Sequence, residues 1–461
     1  MNIPINTKGP LTKKNPWKDI LQMAWPLIIA NSFWNLQMTI DRIYLGKHST
    51  EALGAAMAVM GVFWVPMALL QQTASYVTTF VAQYKGAKED RKIGAAIWQA
   101  IYVSIAGGLI MVLFNFFSHD FFQFVGHDSL VQKHEVAYYN SISHSALPTA
   151  LVAVASGFFT GLGKTQTVIW INFVGLLANA ILDYCLIFGK GGFPAFGVAG
   201  AGYATTIANY IAAFYGFWLV FRKKNEPLYH IFSSWKWKWD VMKPFLKFGV
   251  PSGLQWALEG LAFTTFLIIM GRLSNGEASL ASSSIAVTVM MLSVLPSLGV
   301  AQSVMTMVGQ KIGEGFPDEA EKYAWVGVKI SSLYMAMAAL SFAFIPEFYL
   351  SWFENKSNPE LWSQVFIISA GLLKIVALFT VLDSIYLNIS FALKGAGDTR
   401  FVSIMALLIP WPIMVLPTYL VREWNNAVYW SWGFAALYSL IISSTLIARF
   451  RQGKWKTMKV V

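Results

Sequence analysis

The chain has 461 residues, 56% of them hydrophobic and 12% charged, with a formal net charge of +11. A soluble domain carries about 25% charged residues, so a mean hydropathy of +0.52 over this length excludes a string of soluble domains and places most of the surface in lipid. Cys185 is the only cysteine, which excludes a disulfide framework and a cysteine-based metal site. The positive charge sits in short loops, where it reports topology rather than nucleic-acid binding.

A spanning helix needs about 20 mostly apolar residues. In chain order, the runs 17–45, 52–81, 94–117, 132–159, 165–189, 196–221, 242–272, 278–310, 321–346, 361–393, 400–421 and 427–449 predict twelve such helices. They are too long and too uniformly apolar for the alternating strands of a membrane barrel. The expected fold class is an all-α polytopic membrane protein. Lys8, Lys13, Lys14 and Lys18 precede the first run, and Asp41 lies within it. That pattern predicts a retained first helix rather than a signal peptide.

Twelve spans put both ends of the chain on one side. The loops of that side hold Lys85, Lys88, Arg91 and Lys92, then Arg222, Lys223, Lys224, Lys236 and Lys238, then Lys394, Arg400 and the cations from Arg449 to Lys459. The other side holds a sparser set that includes Lys47, Lys190 and Lys356. The positive-inside rule makes the first side cytoplasmic. The expected location is the inner (plasma) membrane, multi-pass, with both termini cytoplasmic. Trp17, Trp235, Trp237, Trp239, Trp352 and Trp424 fall near span ends, where an amphipathic ring favours the interface.

The two halves resemble each other. The stretch from Pro26 to Gly46 aligns with that from Pro251 to Gly271, and each is followed by Glu-Ala (Glu51-Ala52, Glu277-Ala278). Further on, Gly161-Leu162-Gly163-Lys164-Thr165 matches Gly395-Ala396-Gly397-Asp398-Thr399. The expected organisation is a six-helix lobe over 1–221, a basic cytoplasmic linker over 222–240 and a second six-helix lobe over 241–461, around a central cleft. Thr160 to Thr165 looks like a phosphate loop, but the Walker pattern needs glycine where Phe158 stands, so it is a tight turn.

An ionisable side chain at the bilayer centre costs about 2.5–3.5 kcal/mol, so each such residue is a functional candidate. In span 1, Asp41 follows Gln37 and Trp34 by one and two turns, on one face. In span 5, Asp183 shares a face with Asn179 and Asn172, and span 6 offers the hydroxyls of Thr205 and Thr206. Carboxylates with amide and hydroxyl oxygens suit Na⁺, a hard cation, or a proton relay; the residues leave both open. In the second half, Glu259 shares a face with Gln255 and Ser252, and Asp383 follows Thr380 by one turn. Pro26 removes a backbone hydrogen bond about four turns before Asp41 and is a candidate hinge.

Taken in order, these pieces resemble the multidrug and toxic compound extrusion (MATE) family, in its NorM-like bacterial branch. The resemblance rests on Pro26 to Gly46 with Glu51-Ala52-Leu53, on Asn179 to Tyr184, on Gly197 to Thr205, on Pro251 with Glu259, and on Asp383 to Thr399. It implies a V-shaped pair of six-helix lobes and export of small cationic organic substrates by antiport with Na⁺ or H⁺. It implies no cofactor beyond that coupling ion, no enzymatic activity, no nucleic-acid partner, and a monomer among membrane lipids. The residues matching the family's coupling-ion site are Asp41, Asn179, Asp183 and Thr205, which would hold Na⁺ if Na⁺ is the ion. Those matching the cation site of the branch are Glu259 and Asp383. Gln37, Trp34 and Gln255 are candidates for lining the cleft. The alternative is a lipid-linked precursor or polysaccharide flippase of the same exporter superfamily. It would want basic residues in the cleft, whereas the intramembrane charges here are mainly acidic.

Overall fold

The computed structural model describes residues 15–273, 275–354 and 358–461; Lys8, Lys13, Lys14 and Lys356 lie outside them. The first half runs α1 (Pro16–His48), α2 (Thr50–Ser75), α3 (Val77–Gly86), α4 (Ile93–Leu113), α5 (Asn115–Val125), α6 (Ser129–Ile142), α7 (Ala146–Gly161), α8 (Gln166–Phe188) and α9 (Val198–Val220). The short α10 (Glu226–Tyr229) lies between the halves. The second half runs α11 (Trp239–Met270), α12 (Gly276–Glu314), α13 (Pro317–Phe344), α14 (Pro346–Leu350), α15 (Pro359–Ala396), α16 (Thr399–Leu408), α17 (Leu416–Leu420) and α18 (Ala427–Arg451).

Among the described residues, 10 helices are by length and composition able to cross a membrane, or 11 if α9 and the bent Lys223–Tyr229 segment count as one span. The 33-residue α1 supplies the twelfth. Asn31, Ser32, Asn35, Gln37, Thr39 and Asp41 lower its hydropathy, yet at about 1.5 Å per residue it is ample to span the bilayer. Its ends follow local chemistry. The Asn15 side chain caps the Trp17 amide at 3.1 Å, Pro16 takes the first turn, and Lys47 and His48 fill the last. The helix continues through Pro26.

The expected span 400–421 is not one regular helix. Pro410, Pro412 and Pro417 break the backbone hydrogen-bond ladder, and α16 gives way to a π-helical stretch, Trp411–Val415, before α17. The basic connection 222–240 is also structured, because the Glu226 carboxylate accepts from the amides of Phe232 (2.6 Å) and Ser233 (3.2 Å).

Three large buried clusters organise the described residues, beside a small fourth around Ala301, Met305 and Phe391. One gathers mainly residues from Leu27 to Ile231, a second Ala262 to Ala435, and a third joins Ile20 and Ala24 to residues between Val300 and Trp455. Among the described residues, side-chain hydrogen bonds between the halves run only from mid-membrane to the end bearing the basic loops. Asn31 donates to Gln302 (3.1 Å) and Tyr323 to Asp19 (2.6 Å).

Small residues set the helix spacing. A Cβ on Gly200 would lie 2.5 Å from the Leu186 carbonyl oxygen, so α9 meets α8 backbone to backbone. Overpacking costs about 1–3 kcal/mol. Gly200→Ala is therefore expected to lower the thermal unfolding midpoint in detergent, followed by tryptophan fluorescence. An unchanged midpoint would show that the two helices part freely.

Candidate functional site

Asn179 and Asp183 are one turn apart on α8, so they share a face, and the close α8–α9 packing brings Thr205 against them. Asp41 comes from α1. All four are sealed from solvent: Asp183 and Asn179 are 0% exposed, Asp41 3% and Thr205 8%. Thr205 Oγ1 lies 3.5 Å from Asp41 Oδ2 and 3.3 Å from the Asn179 amide. The two carboxyl groups converge on one and the same side chain.

The Asn179 side chain sits between the acids, with one end of its amide 3.0 Å from Asp41 Oδ1 and 3.1 Å from Asp183 Oδ2. With its nitrogen inward, the amide donates to both carboxylates. With its oxygen inward, oxygens from three residues converge with no donor among them, an arrangement that needs a cation or a proton. Asp183 Oδ1 is buried without a hydrogen-bond partner. Two carboxylates this close, out of water, do not both stay charged unless a cation lies between them. The donor set of carboxylate, amide and hydroxyl oxygens therefore fits one Na⁺ or one shared proton. Among the described residues no group of three or more His, Cys, Asp or Glu side chains gathers for a transition metal.

Other expected members are absent from this cluster. Asn172 bonds its own helix at the Val168 carbonyl (2.9 Å), and Thr206 donates to Gly202 (2.9 Å) and Ser141 (3.2 Å) carbonyls. Gln37 is buried one turn from Asp41. Trp34 is 40% exposed and packs on Trp64 with ring centroids 5.3 Å apart.

The second half builds a different centre. Glu259 Oε1 accepts from Tyr386 Oη and from Gln255 Nε2 (3.1 Å). Gln255 Nε2 also lies 2.7 Å from Tyr386 Oη and 3.2 Å from Ser390 Oγ, while its own Oε1 is buried without a partner. Asp383 has a separate partner, Ser439 Oγ at 2.5 Å. Thr380 bonds its own helix at the Val376 carbonyl (2.7 Å), and Ser252 is buried without joining the network.

The sequence reading missed Tyr386, Ser390 and Ser439. It also counted Lys394 as a loop cation. Lys394 is 2% exposed in the last turns of α15, its ammonium 4.8 Å from the Phe391 ring and 5.9 Å from that of Trp256. The recurrence of Tyr386, Ser390 and Lys394 every four residues was a usable signal, because that spacing makes a polar stripe on one helix face.

Comparison with known proteins follows the same duplication. The model of the family described as MatE matches residues 26–185 and again residues 251–420. Over 449 residues the chain is 25% identical to the probable multidrug resistance protein NorM of Thermotoga maritima, covering 96% of this chain and 94% of that one. It is 26% identical over 416 residues to the probable NorM of Bacillus subtilis, covering 89% of each. Among solved structures, a MATE in complex with MaL6 superposes with a TM-score of 0.87 at 19% identity, over 97% of this chain and 98% of that one. An outward-facing multidrug resistance MATE family transporter gives 0.86 at 20% identity, over 98% and 100%. At these identities the structural likeness speaks for the fold.

Proposed function

This chain belongs to the MatE family of membrane transporters, and on that premise we propose that it is a multidrug efflux transporter expelling small organic cations in exchange for Na⁺ or H⁺. The observation that carries the exchange is the sealed set of Asp41, Asp183, Asn179 and Thr205, in which two carboxylates on different helices require one proton or one cation. Such a site ties ion occupancy to helix packing. Occupied, it lets α1, α8 and α9 draw together; vacant and charged, it drives α1 from α8 by repulsion strengthened in the low-dielectric interior.

In the cycle we propose, the ion enters from outside, its binding disfavours the drug-bound form, the drug leaves outward, and ion release inward resets the site. Glu259 and Asp383 supply negative charge in the second half, with Gln37, Trp34 and Gln255 beside the cleft. We take the basic end as the cytoplasmic face of the plasma membrane, residues 1–221 and 241–461 as the moving lobes, 222–240 as their linker and Pro26 as the point where α1 bends. We take the working unit as a monomer in lipid with no nucleic-acid partner.

The test is ethidium efflux from proteoliposomes under an imposed Na⁺ gradient and, separately, an imposed pH gradient. Efflux driven by one gradient names the ion. No gradient-driven efflux of ethidium or any other cationic dye would overturn the reading and favour a lipid-linked precursor flippase.

A further inference from the structure

Two buried or half-buried glutamines outside both acidic centres sit where the halves cross. Gln83 lies in Val81-Ala82-Gln83-Tyr84-Lys85-Gly86 at the end of α3, and Gln310 in Val308-Gly309-Gln310-Lys311-Ile312-Gly313 at the end of α12. The spacing of Val, Gln and Gly is identical, and each stretch closes the second span of its half. Their contacts are reciprocal. Gln83 Nε2 donates to the Gly395 carbonyl of the second half at 2.9 Å, and Gln310 Nε2 donates to the Gly161 carbonyl of the first half at 2.9 Å. Gly161 and Gly395 open the paired glycine turns that mark the internal repeat.

The backbones are in reciprocal contact too. A Cβ on Gly86 would lie 2.0 Å from the Gln310 carbonyl oxygen, and one on Gly313 would lie 2.2 Å from that of Gln83. Only glycine allows so close a crossing. Two further bonds reinforce the first-half side: Gln83 Oε1 accepts from the Val460 amide (2.9 Å), and Tyr76 Oη donates to the Lys394 carbonyl (2.8 Å).

We infer that Gln83 and Gln310 form a pseudo-symmetric clasp that shuts the basic end of the cleft and opens, both bonds together, each time the cleft turns to that side. The inference rests on the exporter reading above, in which the cleft faces two sides in turn. Both bonds join one half to the other, so rigid-body separation of the halves must break them, while bonds within a half persist. Their chemistry suits a reversible gate. A neutral amide–carbonyl bond is individually weak in net terms, because water replaces it once the cleft floods. Two such bonds bias the closed state without trapping it.

The experiment measures the distance between spin labels at Lys88→Cys and Lys322→Cys, exposed positions on opposite halves at the basic end. It uses the full chain in nanodiscs on a Cys185→Ser background. Gln83→Met and Gln310→Met keep side-chain volume and remove the donor. Each is expected to raise the ratio of long to short distances about five-fold, and the double variant about twenty-five-fold. Gln83→Met is expected at the upper side of that five-fold figure, since it also loses the Val460 bond. Distance distributions matching the parent in both single variants and the double would overturn the clasp, as would a loss of thermal stability with no change in distance. Should the parent populate both distances and respond as expected but move no cation, the exporter reading falls and the clasp stands.

Discussion

Proteoliposomes carrying Asp41→Asn are expected to lose gradient-driven efflux down to the passive leak while the protein stays folded. Asn keeps the size of the side chain and its place beside Thr205 and Asn179, so packing is preserved. It removes one of two negative charges buried together, and that change relieves repulsion rather than creating it. The thermal midpoint is therefore expected to hold or rise. The coupling ion loses a charged ligand, and a hydrogen bond or contact to a charged group is worth about 1.5–3 kcal/mol, so ion affinity falls roughly ten- to hundred-fold. Asp183→Asn is expected to do the same. The double variant adds little to either, because one ion needs both carboxylates and residues acting as a unit are not additive. Protons and Na⁺ compete for the same oxygens, so Na⁺ binding to the parent, measured by calorimetry, is expected to weaken as pH falls. Wild-type coupled efflux from Asp41→Asn would remove this cluster from the mechanism.

The architecture was legible because lipid imposes a strong pattern: long apolar runs, few internal charges and cations gathered on one side. The first acidic cluster was legible for a related reason. Asn179 and Asp183 stand out against an apolar helix, and so does Asp41. The parts that failed depend on where a side chain turns in three dimensions. Asn172 and Thr206 carry the right chemistry, yet each finds a carbonyl on its own helix and is taken up there. Lys394 sits beside a glycine turn, which in sequence looks like a loop. In the structure α15 continues past it, and the rings of Phe391 and Trp256 close over the ammonium. The break in the eleventh span was written in its three prolines, but periodicity alone does not say that the ladder recovers as a π turn. The reciprocal glutamines were present in both halves of the repeat. Their meaning appears only once the halves are seen to cross, since nothing local marks Gly161 or Gly395 as acceptors for the opposite lobe.

Glu259→Gln is expected to weaken binding of a cationic dye about ten- to hundred-fold, read by fluorescence polarisation of the purified protein in detergent. The replacement still accepts from Tyr386 and Gln255, so the network and the fold persist and the lost quantity is charge. Tyr386→Phe makes the complementary test. It leaves the carboxylate in place and removes one donor to it, so cation binding is expected to be retained. Asp383→Asn distinguishes one site from two. Asp383 is held by Ser439 and shares no hydrogen-bond partner with Glu259, so its effect is expected to add to that of Glu259→Gln in a double-mutant cycle, unlike the pair Asp41 and Asp183. A strong non-additive term would instead mean that one bound cation draws on both second-half acids. Wild-type dye affinity in both Glu259→Gln and Asp383→Asn would leave the cluster around Asp41 as the cation site of the cycle. The duplication would then have copied a scaffold whose second polar centre keeps Glu259, Tyr386, Gln255 and Ser390 in contact for packing alone, a costly arrangement in a membrane, where a buried carboxylate is retained at a penalty of about 2.5–3.5 kcal/mol.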